Sequence, residues 1–373
     1  MSHYPSNSLM SHYPSNSLMS HYLSHGPLLS QVMVRLCSKS IKLSNFYAKP
    51  CTNSSTFRSQ ISFLQNEFFS TISDSKFSTI NEEEVLKFSQ LAKEWWSPNG
   101  PIKLLHSMNP LRVLYIRRQY LKSKLDVNFK LNKNFNDFND VENFKFPFKG
   151  LRILDMGCGG GLLSESLVRL GASVVGADAS LENIQIAKIH SFKDPMLYSG
   201  PGNLEYRCIT AEKLLEQEES FDIVCAMEII EHVNNPMEFL KTCTGLVKPG
   251  GGHLFLSTIS RTPLSYFLTI LLAEKVFKII PSGTHDFNNY IKPDEIQAII
   301  QEIQTNKNIN NERNNENISN ISGIVSEKWG FVTDITGIGL NPITGKWFEF
   351  YKWIPTRIQL DVNYIITARR ILS

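Results

Sequence analysis

Apolar residues in the middle of the chain recur with two alternating periods. Leu151–Arg–Ile–Leu154 is a short, mainly apolar run of the length of a buried strand, and it breaks at once into a turn with glycines at 157, 159, 160 and 161. Leu162 to Leu170 then carries apolar residues at helical spacing, Gly171 stops it, and Ser173 to Ala177 reads as a second strand with Asp178 at its end. Strand, glycine turn, helix and strand make a β-α-β unit, whose ligand side is the carboxyl end of the first strand. Downstream the pattern predicts a helix over 181–190, strands over 204–209 and 221–226, a helix over 236–247, and strands over 253–258, 331–337 and 361–369. Upstream, Asn81 can cap a helix over Glu82–Glu94, with three glutamates in its first turn and Val85, Leu86, Phe88, Leu91 and Ala92 as its apolar face. Trp95 to Gly100 reads as a turn. A second helix starts at Pro110, a position where proline is tolerated, and runs to about Leu121. The fold class is α/β, a Rossmann-like sheet that is mostly parallel.

Composition changes this picture only at its edges. No Asp or Glu precedes Glu67, whereas Arg35, Lys39, Lys42, Lys49 and Arg58 do, among many Ser, Leu and Phe. That is what a mitochondrial transit peptide needs; a plain disordered tail is the other reading of this leader, residues 1–80. Its repeat, Ser2–Met10 recurring as Ser11–Met19, is too short for a repeat architecture. The folded domain is expected over 81–373, with a helical lid at 81–121 and Asn-rich insertions at 122–149 and 304–322. A net charge of +3 is too small to argue for a nucleic-acid partner. The six cysteines show no Cys-x-x-Cys pairing and read as reduced thiols in a non-secretory compartment.

The glycine turn narrows the ligand. A dinucleotide fingerprint, Gly-x-Gly-x-x-Gly, fails in both registers, because its last position falls on Leu162 or Ser164. The pattern present is Asp155-x-Gly157-x-Gly159-x-Gly161. A pyrophosphate would meet Asp155 as a like charge, whereas a ligand carrying an ammonium and a sulfonium would not. Asp178 is placed to accept hydrogen bonds from both ribose hydroxyls. A turn that binds nothing is the bland alternative.

Three further clusters carry chemistry. Arg112, in the expected first turn of the second helix, is a cation where the helix dipole disfavours one, which hints at a carboxylate partner. Were Glu228 to open a helical turn, Glu231 and His232 would fall at i+3 and i+4 on the same face, a donor set suited to a divalent ion. Glutamates at a helix N-terminus with a nearby hydrogen-bonding histidine explain the same spacing without a metal. His285 is the nearest general-base candidate by sequence, against a loop histidine satisfied by Asp286. Finally, Pro263 to Ile280 is strongly apolar yet interrupted by Glu274, Lys275 and Lys278, which suits an interfacial helix or a packed cover better than a membrane span.

The glycine turn with Asp178 resembles motifs I and II of the class I S-adenosylmethionine-dependent methyltransferases. A narrower resemblance rests on Glu94–Trp–Trp–Ser–Pro–Asn–Gly100, Asn109–Pro–Leu–Arg112, Glu228–Ile–Ile–Glu–His232, Gly283–Thr–His–Asp286 and Asp361–Val–Asn–Tyr364. Together these are similar to the ubiquinone-biosynthesis O-methyltransferases, over roughly 82–370. The resemblance implies a seven-stranded sheet with the last strand antiparallel. It also implies cofactor contacts from Arg112 (to the methionyl carboxylate), Gly157, Asp178 and Met227, and magnesium held by Glu228, Glu231 and His232. No catalytic base is assigned.

The implied activity is methylation of phenolic hydroxyls of polyprenylated dihydroxybenzoate and demethylubiquinol, with S-adenosylmethionine as donor. The implied place is the matrix face of the inner mitochondrial membrane, with other proteins of ubiquinone synthesis as partners. A methyltransferase for another small phenol, and a catalytically silent scaffold that keeps the fold, are the competing readings.

Overall fold

The computed structural model describes residues 78–128, 145–276, 283–303, 327–341, 344–350 and 354–372, all within one unit of the chain, Glu67–Ser373. Leader residues 1–77, the centre of the first insertion and the whole of the second lie outside the described residues.

The lid comes first. Asn81 caps helix α1, Glu82–Gln90, by accepting from the backbone N–H of Glu83 and Glu84, and a single 3-10 turn follows at Ala92–Glu94. Helix α2 runs over Lys103–Asn128, so Pro110 lies inside it rather than at its start, a correction to the expected boundary. Buried Ile102 packs with Ala92 and Trp95, and that tertiary anchor holds the turns before Pro110. Arg112 is therefore mid-helix, and its placement has to be explained by what it faces, not by the helix dipole. The helix also takes in 122–128, and Phe148 is fully buried, so both ends of the stretch 122–149 belong to the fold.

Among the described residues eight strands form one sheet in the order β3-β2-β1-β4-β5-β8-β6-β7. They are β1 Arg152–Met156, β2 Ser173–Asp178, β3 Asn203–Cys208, β4 Ile223–Met227, β5 Gly252–Ile259, β6 Glu327–Leu340, β7 Trp347–Glu349 and β8 Asn363–Leu372. The first five pair in parallel, and β8 runs antiparallel to both β5 and β6. The expected antiparallel last strand is thus β8. The count is eight, not seven, because β7 adds three residues to the edge at β6, too few for alternation to show in the sequence.

Central β4 and β5 are buried at every position, β4 as a continuous apolar run and β5 with His253, Ser257 and Thr258 among its apolar residues, while β3 at the edge alternates. Successive residues feed opposite faces: Ile153, Val174 and Ile223 join one core layer, and Leu154, Val175 and Val224 the other. Helices α3 Leu162–Arg169, α4 Leu181–Ser191, α5 Ala211–Glu216 and α6 Pro236–Leu246 connect the parallel strands, the last three capped by Ser180, Thr210 and Asn235.

After β5, a helical turn at Pro263–Ser265 leads into a π-helical segment, Tyr266–Val276. Leu264, Tyr266, Phe267 and Leu268 are exposed, whereas Ile270 packs with Ile259 and Tyr290. The segment is therefore both packed and apolar on its outside. Among the described residues no helix is long and apolar enough to cross a membrane.

Candidate active site

One crevice opens at the carboxyl ends of β1, β2 and β4. It is lined by Arg112, Asp155, Gly157, Asp178, Thr210–Glu212, Met227, Glu228 and His232, with Trp95 and Phe88 of the lid above. All four expected cofactor-contacting residues line it. Of the three expected metal ligands, Glu228 and His232 do; Glu231 is buried and does not line it.

The glycine turn is shaped by two demands at once. Gly157, Gly159 and Gly161 have φ of +75°, +53° and +89°, which side chains resist. Each also lacks room: a Cβ would overlap Ile229 at Gly157, the Trp95 ring at Gly159 and the Tyr206 hydroxyl at Gly161. The turn is pinned by the N–H groups of Gly157 and Cys158, which donate to Ala177 O at 2.8 and 3.0 Å. Asp178 accepts from the N–H groups of Gly159 and Ser180, both at 2.8 Å. Burial raises its carboxyl above the ordinary range, and those two bonds pull against the rise.

Arg112 is 5% exposed, and its Nε and Nη2 have no hydrogen-bond partner. Burial lowers its affinity for a proton, opposed by the charges of Glu228, Asp155 and Glu231. The approach of Nη2 to Glu228 Oε1, 3.7 Å, is too long for a hydrogen bond. Asp155 accepts from Ser164 Oγ at 2.6 Å, and burial pushes its carboxyl up to about 6. A buried cation with unpaired donors beside a buried carboxylate suits a zwitterion, carboxylate toward Arg112 and ammonium toward Asp155. The amino-acid end of S-adenosylmethionine has that chemistry, and Asp178 and Thr210–Glu212 line the rest of the crevice.

The turn after β4 differs from the expected helical one. Glu228 has φ +54°, with its N–H held by Ser257 O at 3.0 Å, and the 3-10 turn spans Ile230–His232 only. Glu228, Glu231 and His232 therefore do not share a helix face, which corrects the spacing argument. Glu231 is buried and accepts from Thr258 Oγ1 at 2.9 Å, and His232 Nδ1 meets Glu84 Oε2 at 2.7 Å. Among the described residues no three His, Cys, Asp or Glu side chains already converge as a ligand set. The donor chemistry still fits a hard dication: Glu228 Oε1 is buried without a hydrogen-bond partner, and Glu231 is driven toward its neutral form by burial and by the charge of Glu228.

His285 pairs with Glu274, not Asp286: its Nδ1 lies 2.8 Å from Glu274 Oε1, while Asp286 caps Asn288. The sequence reading also missed how the lid is fastened. Trp95 Nε1 donates to Asn183 Oδ1 and Trp96 Nε1 to Gly160 O, both at 2.9 Å, and Trp96 stacks on His190. Adjacent tryptophans next to a turn were the available signal for this. Nothing local signalled Glu84, 148 positions from His232.

Residues 154–255 match a family described as a methyltransferase domain. The chain is 38% identical over 300 residues to the ubiquinone biosynthesis O-methyltransferase of Sinorhizobium fredii, covering 80% of this chain and 99% of that protein. It is 38% identical over 293 residues to the mitochondrial ubiquinone biosynthesis O-methyltransferase of Arabidopsis thaliana, covering 79% and 75%. A relative of the same name from Cereibacter sphaeroides is 43% identical over 224 residues, covering 60% and 82%. With the glycine turn, the two aspartates and the buried arginine converging on one crevice, the chain belongs to the ubiquinone biosynthesis O-methyltransferase family.

Proposed function

We propose that this protein transfers a methyl group from S-adenosylmethionine to phenolic oxygens of polyprenylated dihydroxybenzoate and demethylubiquinol in ubiquinone synthesis. The observation that carries the reading is the Arg112 guanidinium, buried in the crevice wall with two nitrogens that make no hydrogen bond, beside Asp155 and across from Asp178. Arg112 and Asp155 fix the amino-acid end of the donor, Asp178 the ribose and Met227 the region beside the sulfur. The sulfonium supplies the methyl, which passes in line to the acceptor oxygen as the carbon–sulfur bond breaks. The lid tryptophans close the glycine turn and exclude water, and holding both reactants in line is itself a large part of the rate.

A free phenol has a pKa near ~10, so the acceptor needs help to ionise. Glu228, Glu231 and His232 would hold magnesium, whose charge would favour the ionised form of a phenol bound beside it. Docking at the matrix face of the inner mitochondrial membrane is supported by exposed Leu264, Tyr266, Phe267 and Leu268, which suit an interface where a polyprenyl tail is anchored. Other proteins of the pathway would meet the enzyme there.

The test gives the full-length protein labelled S-adenosylmethionine and a prenylated catechol, with and without EDTA. The expected result is O-methylated product, lost on chelation and restored by magnesium. Equal turnover in chelator would remove the metal reading, methyl on ring carbon would remove O-transfer, and no binding of S-adenosylmethionine would point to a scaffold.

A further inference from the structure

Two residues of the lid helix converge on one imidazole. Glu84 Oε2 lies 2.7 Å from His232 Nδ1, and Phe88, one turn further along α1, meets the same ring edge-on at 4.9 Å between centroids. A carboxylate only accepts, so Nδ1 carries the hydrogen, and in the neutral ring Nε2 is the atom with the free lone pair. Both partners are largely buried, with side-chain exposures of 22% for Glu84 and 14% for His232. Lys87 fastens this arrangement from the other side: its Nζ donates to Glu84 Oε1 and to Thr284 O, each at 3.0 Å. Glu84 itself does not line the cofactor crevice, whereas His232 and Phe88 do.

We propose that Glu84 is a positioning residue: it selects the Nδ1–H tautomer of His232 and fixes the ring, so that the lid helix is part of the acceptor and cation centre and not merely a cover over the cofactor. Resting on the magnesium reading above, this makes lid docking and cation binding one event, because His232 presents Nε2 in a set orientation only while α1 is seated. Imidazole ligands that hand their second nitrogen to a carboxylate gain both basicity and a fixed direction.

The experiment measures magnesium binding to the full-length protein by calorimetry, with S-adenosylhomocysteine binding as control and nitrogen-15 NMR of the histidine side chains. Glu84→Ala should weaken magnesium roughly 10- to 100-fold, leave S-adenosylhomocysteine affinity unchanged and mix the two His232 tautomers. Glu84→Gln, whose amide oxygen still accepts the Nδ1 hydrogen, should recover part of the loss. Lys87→Ala removes the ties to Glu84 and Thr284 but leaves the Glu84–His232 contact itself in place, and should cost clearly less magnesium affinity than Glu84→Ala. Unchanged magnesium affinity in Glu84→Ala overturns the proposal. An equal loss in Lys87→Ala also overturns it, by assigning the effect to lid docking alone. Were the wild type to bind no magnesium, the cation reading would fall first. The tautomer spectra would then decide on Glu84, an unchanged His232 tautomer in Glu84→Ala overturning its role.

Discussion

Arg112 is the side chain whose environment is hardest to justify without a ligand. It is charged, deeply buried, and holds two nitrogens that hydrogen-bond to nothing. Leaving such donors unpaired costs more than a made bond returns, so the site is built for a group the protein itself does not supply. Hydrogen bonds to charged groups contribute roughly 1.5–3 kcal/mol, so Arg112→Gln should weaken S-adenosylmethionine about 10- to 100-fold. Arg112→Lys should restore only part of this, since an ammonium cannot reproduce the planar fork. Methylthioadenosine, which has the nucleoside and sulfur but no amino-acid end, should bind Arg112→Gln as it binds the wild type. Asp178→Ala should behave in the opposite way, weakening both ligands because it serves the ribose, and lowering affinity more than turnover at saturation. Calorimetry with the two ligands on the two variants separates these assignments, and an equal loss of both ligands in Arg112→Gln would contradict the placement of the carboxylate.

The glycine turn and the lid are complementary elements. A Cβ at Gly159 would overlap the Trp95 ring, and φ of +53° there adds backbone strain. Gly150 has φ of +82° with nothing within 4 Å, so Gly150→Ala isolates the strain from the contact. Gly159→Ala should unseat Trp95, seen as a red-shifted tryptophan emission and weakened cofactor binding, while Gly150→Ala should leave both unchanged. In a Trp95→Ala background Gly159→Ala should cost markedly less, since the residues touch and their effects do not add. Full additivity would show that the ring does not rest on the turn.

Elements of this kind were legible in proportion to how local their causes are. Strands β1, β2 and β4, the cap at Asn81 and the glycine turn depend on neighbours in sequence, and Arg112, Asp178, Met227 and Glu228, which motifs single out, all line the crevice. Pro110 was misplaced because packing of Ile102 on Ala92 and Trp95 outweighs its local preference. The left-handed Glu228 leaves no mark in residue type, and the partners of His232 and His285 come from segments that only folding brings near.

Acid and base pull the whole molecule in opposite directions through groups buried in the sheet and the crevice. His253 on β5 lies between Phe255, stacked at 6.0 Å, and Tyr120, edge-on at 5.8 Å, with neither ring nitrogen hydrogen-bonded. Burial, with lesser contributions from Arg369 and Lys124, pushes it down to about 3. The folded protein therefore keeps it neutral, whereas the unfolded chain takes up a proton below about 6.5; stability is intact above that pH and falls as pH drops toward 3. Asp155, raised to about 6 by burial, acts the other way: the ligand-free fold retains a proton that the unfolded chain releases above about 4, so stability falls as pH rises from there through 6. His253→Phe keeps the ring and its two aromatic neighbours while removing the titration. At pH 5, 1.5 units below the unfolded value, the histidine alone should cost the wild type about 2 kcal/mol relative to pH 7. Denaturant melts of both proteins at pH 7 and pH 5 check this, and the variant should lose that much less on acidification. Parallel losses would mean that His253 binds its proton inside the fold, with Arg369 or the aromatic cage giving way to admit it.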